Sequence, residues 1–417
     1  MSRIPSHSHP AWSTGQASRW IAAGAWLVLV LVVTLAPVDP VVDPAAVPTG
    51  FRCLLCGDRG LADGILNLVF FLPFGFLLGG RGNTRWVIAA AFLLSLGVEI
   101  AQTALVGRYP TAGDVVFNSL GAGLGSALWW GRGHWLVPSG AWWPGRSLIA
   151  AVLAGLVTLG AGLLLRPHHT AADYWGQWTA DLGYLDAYDG SVLSAELNGI
   201  PVPSRRLSED VDARGALSRD FELRVRAVAG TAPSRIAPIL SIFDRDRIEI
   251  VLLGAQGNDL VWRERTWAKI WRLDQPDLRV HRALAEVVAG DTLRLAAAGQ
   301  GRDRCLEVQG RRTCGLGVPV GRTWSLLLHP EGMNVRALRL ADALWLFLLI
   351  LPTGYWSVRP REWVASGVVA GAGLLGATAF TRLLTPSLEG WLAVLCGLLV
   401  GWLLRNTLVG RRPNGNG

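Results

Sequence analysis

Long apolar segments and one long stretch of alternating apolar and polar residues divide this chain. A helix that crosses a bilayer needs about 20 mostly apolar residues. Eight segments meet or approach that length: about 20–37, 62–80, 85–105, 113–130, 147–165, 338–357, 363–381 and 387–404. The pattern predicts a polytopic α-helical membrane protein of about eight transmembrane helices, with one domain inserted between the fifth and the sixth.

The region between about 180 and 330 has a different period. Apolar residues recur there at every second position, as in Phe221–Val228, which places them on one face of a strand. Further alternating runs occupy residues 239–243, 248–253, 260–265, 292–295, 305–308 and 324–328. Turn-forming residues separate many of these runs, for example at 257–259 and at Gly310. Many short strands with turns between them predict an inserted all-β sandwich.

Composition narrows the class of protein. Hydrophobic residues form 51% of the 417 positions and charged residues 17%. The chain is therefore too apolar for an ordinary soluble enzyme and for a disordered protein. Its formal net charge is +8, with Lys269 as the single lysine. The arginines flank the apolar segments and do not form one patch, so the lipid bilayer is the expected partner and nucleic acid is not.

The arginines also predict orientation. With the N-terminus inside, eleven arginines lie on the side of both termini, and four lie in the short loops of the opposite side. Positive charge accumulates on the cytoplasmic side of membrane proteins. Both termini are therefore expected to be cytoplasmic, with residues 170–335 extracytoplasmic. The predicted location is the bacterial cytoplasmic (inner) membrane, with the first apolar segment retained as an anchor because it lacks a clear cleavage site.

The cysteines agree with an oxidising outer side. Cys305 and Cys314 flank a predicted turn and fit a hairpin disulfide. Cys53 and Cys56 lie in the first outer loop, where a structural bridge is the preferred interpretation. A zinc site would normally need two more ligands, and a redox centre would need a thioredoxin-like context. No metal and no cofactor is expected.

Polar side chains inside apolar helices are costly, so each is a candidate functional residue. The second and fourth predicted helices each begin with an aspartate and place an asparagine one turn deeper, which is a weak internal repeat. The third runs the other way with two polar residues on one face, and an arginine in the next loop can reach them. The rise per residue brings these groups to a similar depth. The predicted membrane polar site consists of Asp63, Asn67, Glu99, Gln102, Arg108, Asp114 and Asn118.

Two interpretations of this site stay open. In the first, two helix N-termini and Arg108 attract an anionic group such as a lipid phosphate. Asp63, Asp114 and Glu99 would then orient sugar hydroxyls, hold a cation or act as acid and base. In the second, the polar side chains clamp three helices together through interhelical hydrogen bonds. A metal site is disfavoured, since no histidine is near and the arginine would oppose the ion.

The same residues resemble a known family. Four spaced motifs carry the resemblance: Asp63-x3-Asn67, Phe71-x-Pro73-x-Gly75, Glu99-x2-Gln102 and Gly107-Arg108-x5-Asp114-x3-Asn118-x2-Gly121-x3-Gly125. Together they look like the VanZ-like membrane domain over about residues 20–135. That family is named for a protein that confers low-level resistance to the glycopeptide teicoplanin. The resemblance implies a role in the cell envelope more firmly than it implies a reaction.

Residues 239–266 are similar to the middle strands of concanavalin A-like, laminin-G-type jelly rolls. The resemblance implies glycan binding, with Asn258, Asp259, Trp262 and Trp267 as candidates. Trp262 alternates with polar neighbours and fits a core position equally well. The alternatives for this domain are a protein-binding module and a lid over the membrane site.

These interpretations give a domain order. It runs as a cytoplasmic tail (1–19), a VanZ-like four-helix membrane domain (20–135), a fifth transmembrane helix with its flanks (136–169), the concanavalin A-like sandwich (170–335), three transmembrane helices (336–405) and a cytoplasmic tail (406–417). The preferred function is binding or shielding of an envelope glycan or lipid-linked glycan, as in glycopeptide resistance. The alternatives are a membrane enzyme acting on a lipid-linked envelope precursor and a scaffold for polysaccharide export.

Overall fold

The computed structural model describes residues 14–36, 51–80, 82–105, 107–136, 144–169, 173–181, 185–207, 213–301, 303–330 and 333–410. Most of both predicted tails therefore lies outside the described residues. The helices are α1 Thr14–Leu35, α2 Gly60–Leu78, α3 Thr84–Gln102, α4 Ala112–Trp135, α5 Pro144–Leu164, α6 Ala213–Ser218, α7 Trp267–Ile270, α8 Val335–Tyr355, α9 Pro360–Phe380 and α10 Leu388–Gly410. The chain forms two compact units, Met1–Pro138 and Ser139–Gly417.

The predicted membrane segments all fold as long helices, which confirms a polytopic helical membrane protein. Six of the described helices, α1, α2, α3, α5, α9 and α10, are long and apolar enough to cross a membrane. The expected number of eight such spans is therefore too high. Helices α4 and α8 are long enough, but both carry charged residues: Asp114 and Arg132 in the first and last turns of α4, and Arg339 and Asp342 in the first half of α8.

The inserted region is all-β apart from short helices. Its strands are β1 Tyr174–Trp178, β2 Ser191–Leu197, β3 Ile200–Pro201, β4 Phe221–Val228, β5 Ala237–Asp244, β6 Glu249–Gln256, β7 Asp259–Glu264, β8 Leu278–Val280, β9 Thr292–Gln300, β10 Asp303–Val308 and β11 Arg311–Leu316. Strands β1-β5-β6-β7-β8 form one sheet, and β11-β10-β9-β4-β2-β3 form the other. All the pairings are antiparallel. One core contains apolar side chains from both sheets, so the predicted sandwich is confirmed.

The alternation that predicted the strands reflects their burial. In β4, the apolar positions Phe221, Leu223 and Val225 are buried, whereas Arg224 and Arg226 between them are exposed. Strands β5 and β6 are buried at nearly every position because they lie inside their sheet and are covered on both faces. Burial of one face in β4 and of both faces in β5 and β6 explains why the sequence pattern varies among these strands.

The strand predicted at 324–328 is wrong. Residues Val320–Leu326 form a 3-10 helix that follows Pro319, and most of that helix is buried. The apolar run packs against α8 and does not pair with a sheet. An apolar run of this length fits a buried strand or a buried turn of helix equally well.

Both predicted disulfides are present. Strands β10 and β11 form a hairpin whose turn residues, Gln309 and Gly310, have φ angles of 51° and 84°. Two consecutive positive φ values are the requirement of a tight two-residue hairpin turn. The hairpin aligns Cys305 with Cys314, whose Cα atoms lie 4.0 Å apart. A second disulfide closes the loop before α2 through Cys53 and Cys56.

Candidate functional site

Helices α2 and α4 run parallel and touch through their backbones. A side chain at Gly75 would overlap the carbonyl oxygen of Ala122, and side chains at Gly121 and Gly125 would overlap those of Leu68 and Leu72. Glycine at these places lets the two helices approach closely, which is how helices associate in a membrane that offers no hydrophobic driving force. This contact fixes the first turns of the two helices side by side.

A cleft of about 390 Å³ opens at those first turns. It has the size of a small-ligand site. Five of the seven predicted polar residues line it: Asp63, Asn67, Gln102, Arg108 and Asp114. Loop residues Leu54 and Cys56 and the α4 N-cap Thr111 complete part of its wall. The disulfide-closed loop is therefore one side of the site, a role that the cysteine spacing alone did not indicate.

The floor of the cleft is a pair of side chains from α2 and α4. The Asn67 amide donates a hydrogen bond of 2.6 Å to Asp114 Oδ1. Asp114 is held at the helix start, where its backbone N–H donates to Thr111 Oγ1 over 3.1 Å. Asp63, one turn above Asn67, is exposed and lies close enough to Asp114 for their charges to interact. Two carboxylates thus face one cleft.

Glu99 and Asn118 do not line the cleft. Glu99 is buried, and its Oε2 accepts a hydrogen bond of 2.8 Å from the backbone N–H of Thr111. The buried Asn118 amide donates to Ser95 Oγ over 2.9 Å. Both bonds join α3 to the region of α4, so the clamp interpretation describes these two residues. The seven predicted residues therefore divide into a cleft and a clamp.

Arg108 binds the end of α1 as well as lining the cleft. Its Nε donates to the carbonyl of Ala36 over 3.0 Å, and its Nη2 donates to the carbonyls of Val33 and Ala36 over 2.9 Å each. A guanidinium at a helix C-terminus satisfies carbonyls that have no partner within the helix. Much of the hydrogen-bonding capacity of Arg108 is therefore used before any ligand arrives.

The sandwich does not bring its four glycan candidates together. Trp262 is 1% exposed and stacks on Phe221, with ring centroids 5.6 Å apart. Its ring lies in the core and offers no face to a sugar. Asp259 begins β7, whereas Trp267 follows the end of the same strand. The remaining candidates therefore lie at opposite ends of one strand.

Trp267 lies beside the end of the membrane helix α5. Its backbone N–H donates to the carbonyl of Arg166, two residues beyond that helix, over 3.0 Å. Trp267, Ile270 and Trp271 are 44%, 44% and 59% exposed. Exposed tryptophans next to the end of a membrane helix are typical of the membrane–water boundary. Their position fits a lipid surface better than a sugar site.

Asn258 and Asp259 lie near a larger cleft that the sequence did not indicate. Asp259 accepts hydrogen bonds of 2.8 Å from His281 Nδ1 and from the backbone N–H of Arg282. It lines a cleft of about 730 Å³ beside β7 and β8. The opposite wall includes Arg322, His329 and the first turn of α8 at Val335 and Leu338. Isolated arginines and histidines in turns have no distinctive spacing, which is why the pattern did not reveal them.

The charges of the larger cleft are unevenly paired. Asp277 binds Arg263 at 2.7 Å and Arg279 at 3.3 Å. Burial raises the pKa of Asp277, but the charge and hydrogen bond of Arg263 lower it to below its usual range. Asp277 is therefore ionised and neutralised by its arginines. Arg282 lines the same cleft and its side chain is exposed, so it adds positive charge there.

The described residues contain no group of three or more histidine, cysteine, aspartate or glutamate side chains that could hold a metal ion.

Comparison with known proteins agrees with the resemblance seen in the motifs. Residues 11–136 match the family model described as VanZ/LLP1. No curated protein and no solved structure shows significant similarity to this chain. The match contains α1 to α4 and all seven residues of the predicted polar site. The chain is thus a membrane protein with a VanZ-like N-terminal domain, followed by a part that carries a β-sandwich.

Proposed function

We propose that this protein is an integral membrane protein of the bacterial cell envelope that binds an anionic, lipid-linked or surface glycan through its sandwich. The observation that supports the proposal is the cleft of about 730 Å³ beside β7 and β8. Its volume lies in the range of ligand sites, and its wall carries the exposed Arg282 beside Arg279 and Arg322, which are ion-paired with Asp277 and Asp342. Guanidinium groups suit phosphate and carboxylate, which are the anionic groups of envelope glycans.

The position of the cleft supports a lipid-linked ligand. Val335 and Leu338 of α8 form part of its wall, and α8 packs along the apolar helix α10. A polar head group could therefore occupy the cleft while its lipid chain stays in the bilayer. The exposed tryptophans beside the end of α5 support the same arrangement, because they anchor the sandwich at the membrane surface.

Binding tests this proposal directly. The full-length protein in lipid nanodiscs would be titrated with a polyprenyl-diphosphate-linked disaccharide. We expect saturable binding that Arg282→Glu weakens about tenfold or more, which corresponds to 1.4 kcal/mol. The matched control is Arg226→Glu, which reverses an exposed charge on β4 in the other sheet. Absence of binding, or equal weakening by both variants, would contradict the proposal.

The proposal requires the sandwich to face away from the cytoplasm. Ser191 on the sandwich and Arg361 in the first turn of α9 are both exposed, and Cys396 is the free cysteine of the described residues. In a Cys396→Ala background, Ser191→Cys should react with a membrane-impermeant maleimide in intact cells. Arg361→Cys should react only after permeabilisation. The reverse pattern would place the sandwich in the cytoplasm and end the proposal.

Shielding of the glycan predicts a resistance phenotype. Cells that make the wild-type protein should tolerate more teicoplanin than cells that make Arg282→Glu at the same level. Equal inhibition of the two strains would argue against shielding while leaving glycan binding to be judged by the titration.

A further inference from the structure

Helices α8 and α10 of the second unit repeat the contact of α2 and α4. A side chain at Gly354 would overlap the carbonyl oxygen of Leu398, as one at Gly75 would overlap that of Ala122. The remaining contacts correspond one to one: Gly397 meets the carbonyl of Phe347 as Gly121 meets that of Leu68, and Gly401 meets that of Leu351 as Gly125 meets that of Leu72. The two parallel helix pairs thus share one packing frame.

The sequences of the two pairs agree at the same spacing. Helix α2 contains Leu61-Ala62-Asp63 and Leu72-Pro73-x-Gly75, and α8 contains Leu340-Ala341-Asp342 and Leu351-Pro352-x-Gly354. Helices α4 and α10 both begin with a hydroxyl side chain that accepts a hydrogen bond from the backbone N–H three residues later. Thr111 Oγ1 accepts from Asp114 over 3.1 Å, and Ser387 Oγ accepts from Gly390 over 3.2 Å.

These correspondences identify the residues of the second unit that match the cleft of the first. Asp342 matches Asp63, and Trp345 matches the cleft-lining Leu66. Leu346 and Gly390 match Asn67 and Asp114. A side chain at Gly390 would lie 3.1 Å from Leu346 Cδ1, so an apolar contact stands where the first unit has its amide–carboxylate hydrogen bond.

The 3-10 helix Val320–Leu326 occupies the position of the cleft in the second unit. Arg322 Nη2 lies 2.9 Å from Asp342 Oδ2, and Trp324 Nε1 donates to Asp342 Oδ1 over 2.9 Å. Trp345 Nε1 donates to Thr323 Oγ1 over 2.9 Å. Gly321 allows the approach, since a side chain there would lie 3.0 Å from Asp342 Cβ and 3.3 Å from Leu346 Cδ1. The segment between the sandwich and α8 therefore fills this site from within the chain.

We propose that α5, α8, α9 and α10 are a second, divergent copy of the VanZ-like unit, and that Arg322 and Trp324 act as its built-in ligand. The cleft of the first copy then binds the same chemistry from outside: a peptide-like group that presents a guanidinium or ammonium cation to Asp63. The ligand site inferred here is the cleft of the first unit, so the inference does not depend on the glycan proposal, although Arg322 also lines the glycan cleft.

The charges of the first cleft favour a cation. Asp114 adds a second carboxylate at the place where the second copy has Gly390. Glu99 lies behind it, near enough for the two charges to interact. Arg108 lines the cleft but donates three hydrogen bonds to the end of α1. The two aspartates therefore attract a cationic ligand and repel an anionic one.

The internal ligand itself supplies a probe. A fluorescent peptide of residues Val320–Leu326 would be titrated into the full-length protein in nanodiscs, with empty nanodiscs as the blank. We expect saturable, weak binding that Asp63→Asn reduces tenfold or more. A peptide that carries Arg322→Gln should lose binding to a similar extent, because the cation is the recognised group.

Matched variants separate recognition from folding. Asp58→Asn removes an exposed carboxylate shortly before α2 that does not line the cleft, and it should leave binding unchanged. Asp63→Glu keeps the charge and should retain measurable binding. Absence of saturable binding to the wild type would overturn the proposal, as would equal binding of the arginine and glutamine peptides. Binding that survives Asp63→Asn would do the same.

Discussion

The two helix units keep the same glycine contacts but differ in their polar side chains. In the first unit, α3 packs chiefly on α4, and hydrogen bonds from Asn118 to Ser95 and from Thr111 to Glu99 join them. In the second, Val394 stands in the place of Asn118, and α9 packs chiefly on α5, where Gly155 meets Gly373. The comparison teaches that the packing frame and the polar site are separable: the second unit keeps the glycine contacts of the frame but has apolar residues at several positions of the polar site.

Physical reasons explain why the frame is retained. Lipid tails are as apolar as leucine side chains, so membrane helices gain little by hiding apolar surface from them. Close backbone contact and dispersion forces must hold the pair together instead. A polar side chain can be exchanged for an apolar one at modest cost, but a glycine at a backbone contact cannot be enlarged. The largest effects should therefore come from the shared glycines, and the smallest from polar links of one unit.

Valine at a shared glycine should have the largest effect. Gly125→Val would overlap Leu72 in the first unit, and Gly401→Val would overlap Leu351 in the second. Overpacking costs about 1–3 kcal/mol and more where the backbone cannot move, so we expect little monodisperse protein from either variant in size-exclusion chromatography. The matched control is Gly133→Val, since a side chain at this position of α4 meets no atom within 4 Å. Normal yield of one glycine variant would show that the frame is not equivalent in the two units.

The second unit alone carries the sandwich, and Glu264 should make that part sensitive to acid. Arg304 binds Glu264 through two hydrogen bonds of 3.0 and 3.1 Å, and His169 lies 3.4 Å away. Burial raises the pKa of Glu264, but the contacts with His169 and Arg304 lower it to below its ordinary value of 4.5. A depressed pKa means that this stability is present above the ordinary value and is lost as the pH falls through the folded-state pKa.

Glu264→Gln should reproduce the acid state at neutral pH. Breaking a buried ion pair on one side costs about 3–5 kcal/mol, so hydrogen exchange in β7 and β10 should accelerate at pH 7 and change less on acidification than in the wild type. Burial raises the pKa of Glu249, so its contribution to stability changes with pH in the opposite direction. Glu249→Gln therefore serves as the control. If hydrogen exchange in Glu264→Gln still accelerates on acidification as steeply as in the wild type, the acid response belongs to other groups.

The built-in ligand of the second unit should matter less to stability than the buried pair does. The Arg322 and Asp342 side chains are 23% and 13% exposed, so solvent screens their attraction in part. Arg322→Gln should cost about 1 kcal/mol and raise hydrogen exchange in Val320–Leu326. Asp63→Asn, the matching change in the first unit, should raise exchange in α2 by less. Acceleration by Asp63→Asn of the same size would mean that the first cleft is filled as the second one is.

Sequence patterns revealed most of the fold because each reflects burial. Apolar runs located the long helices, and alternation located most strands of the sandwich. Residues 324–328 were misassigned because a short buried apolar run has no period that separates strand from helix. The internal copy was not recognised, since it is carried by a few spaced residues such as Asp342, Pro352 and Gly354, and the sandwich interrupts it.

The candidate site was predictable where one helix pair determines it. Helical spacing placed Asp63 and Asn67 on one face, and the structure brings them to the same cleft as Asp114. Spacing could not reveal that Arg108 binds the end of α1, because that contact joins distant parts of the chain. Trp262 could not be assigned either, since alternation identifies two faces of a strand but not which one is covered.

The smallest effect should come from the polar link that the first unit keeps and the second lacks. Asn118 and Ser95 are both buried and form one hydrogen bond. Such interhelical bonds in membranes contribute about 0.6 kcal/mol on average and up to about 1.7. We expect Asn118→Val, which installs the residue found at 394, to destabilise the protein by that amount in a mixed-micelle unfolding titration. In a double-mutant cycle with Ser95→Ala, most of that destabilisation should appear as coupling energy between the two residues. Purely additive effects would mean that the bond does not hold α3 to α4, and the difference between the two units would then rest on packing alone.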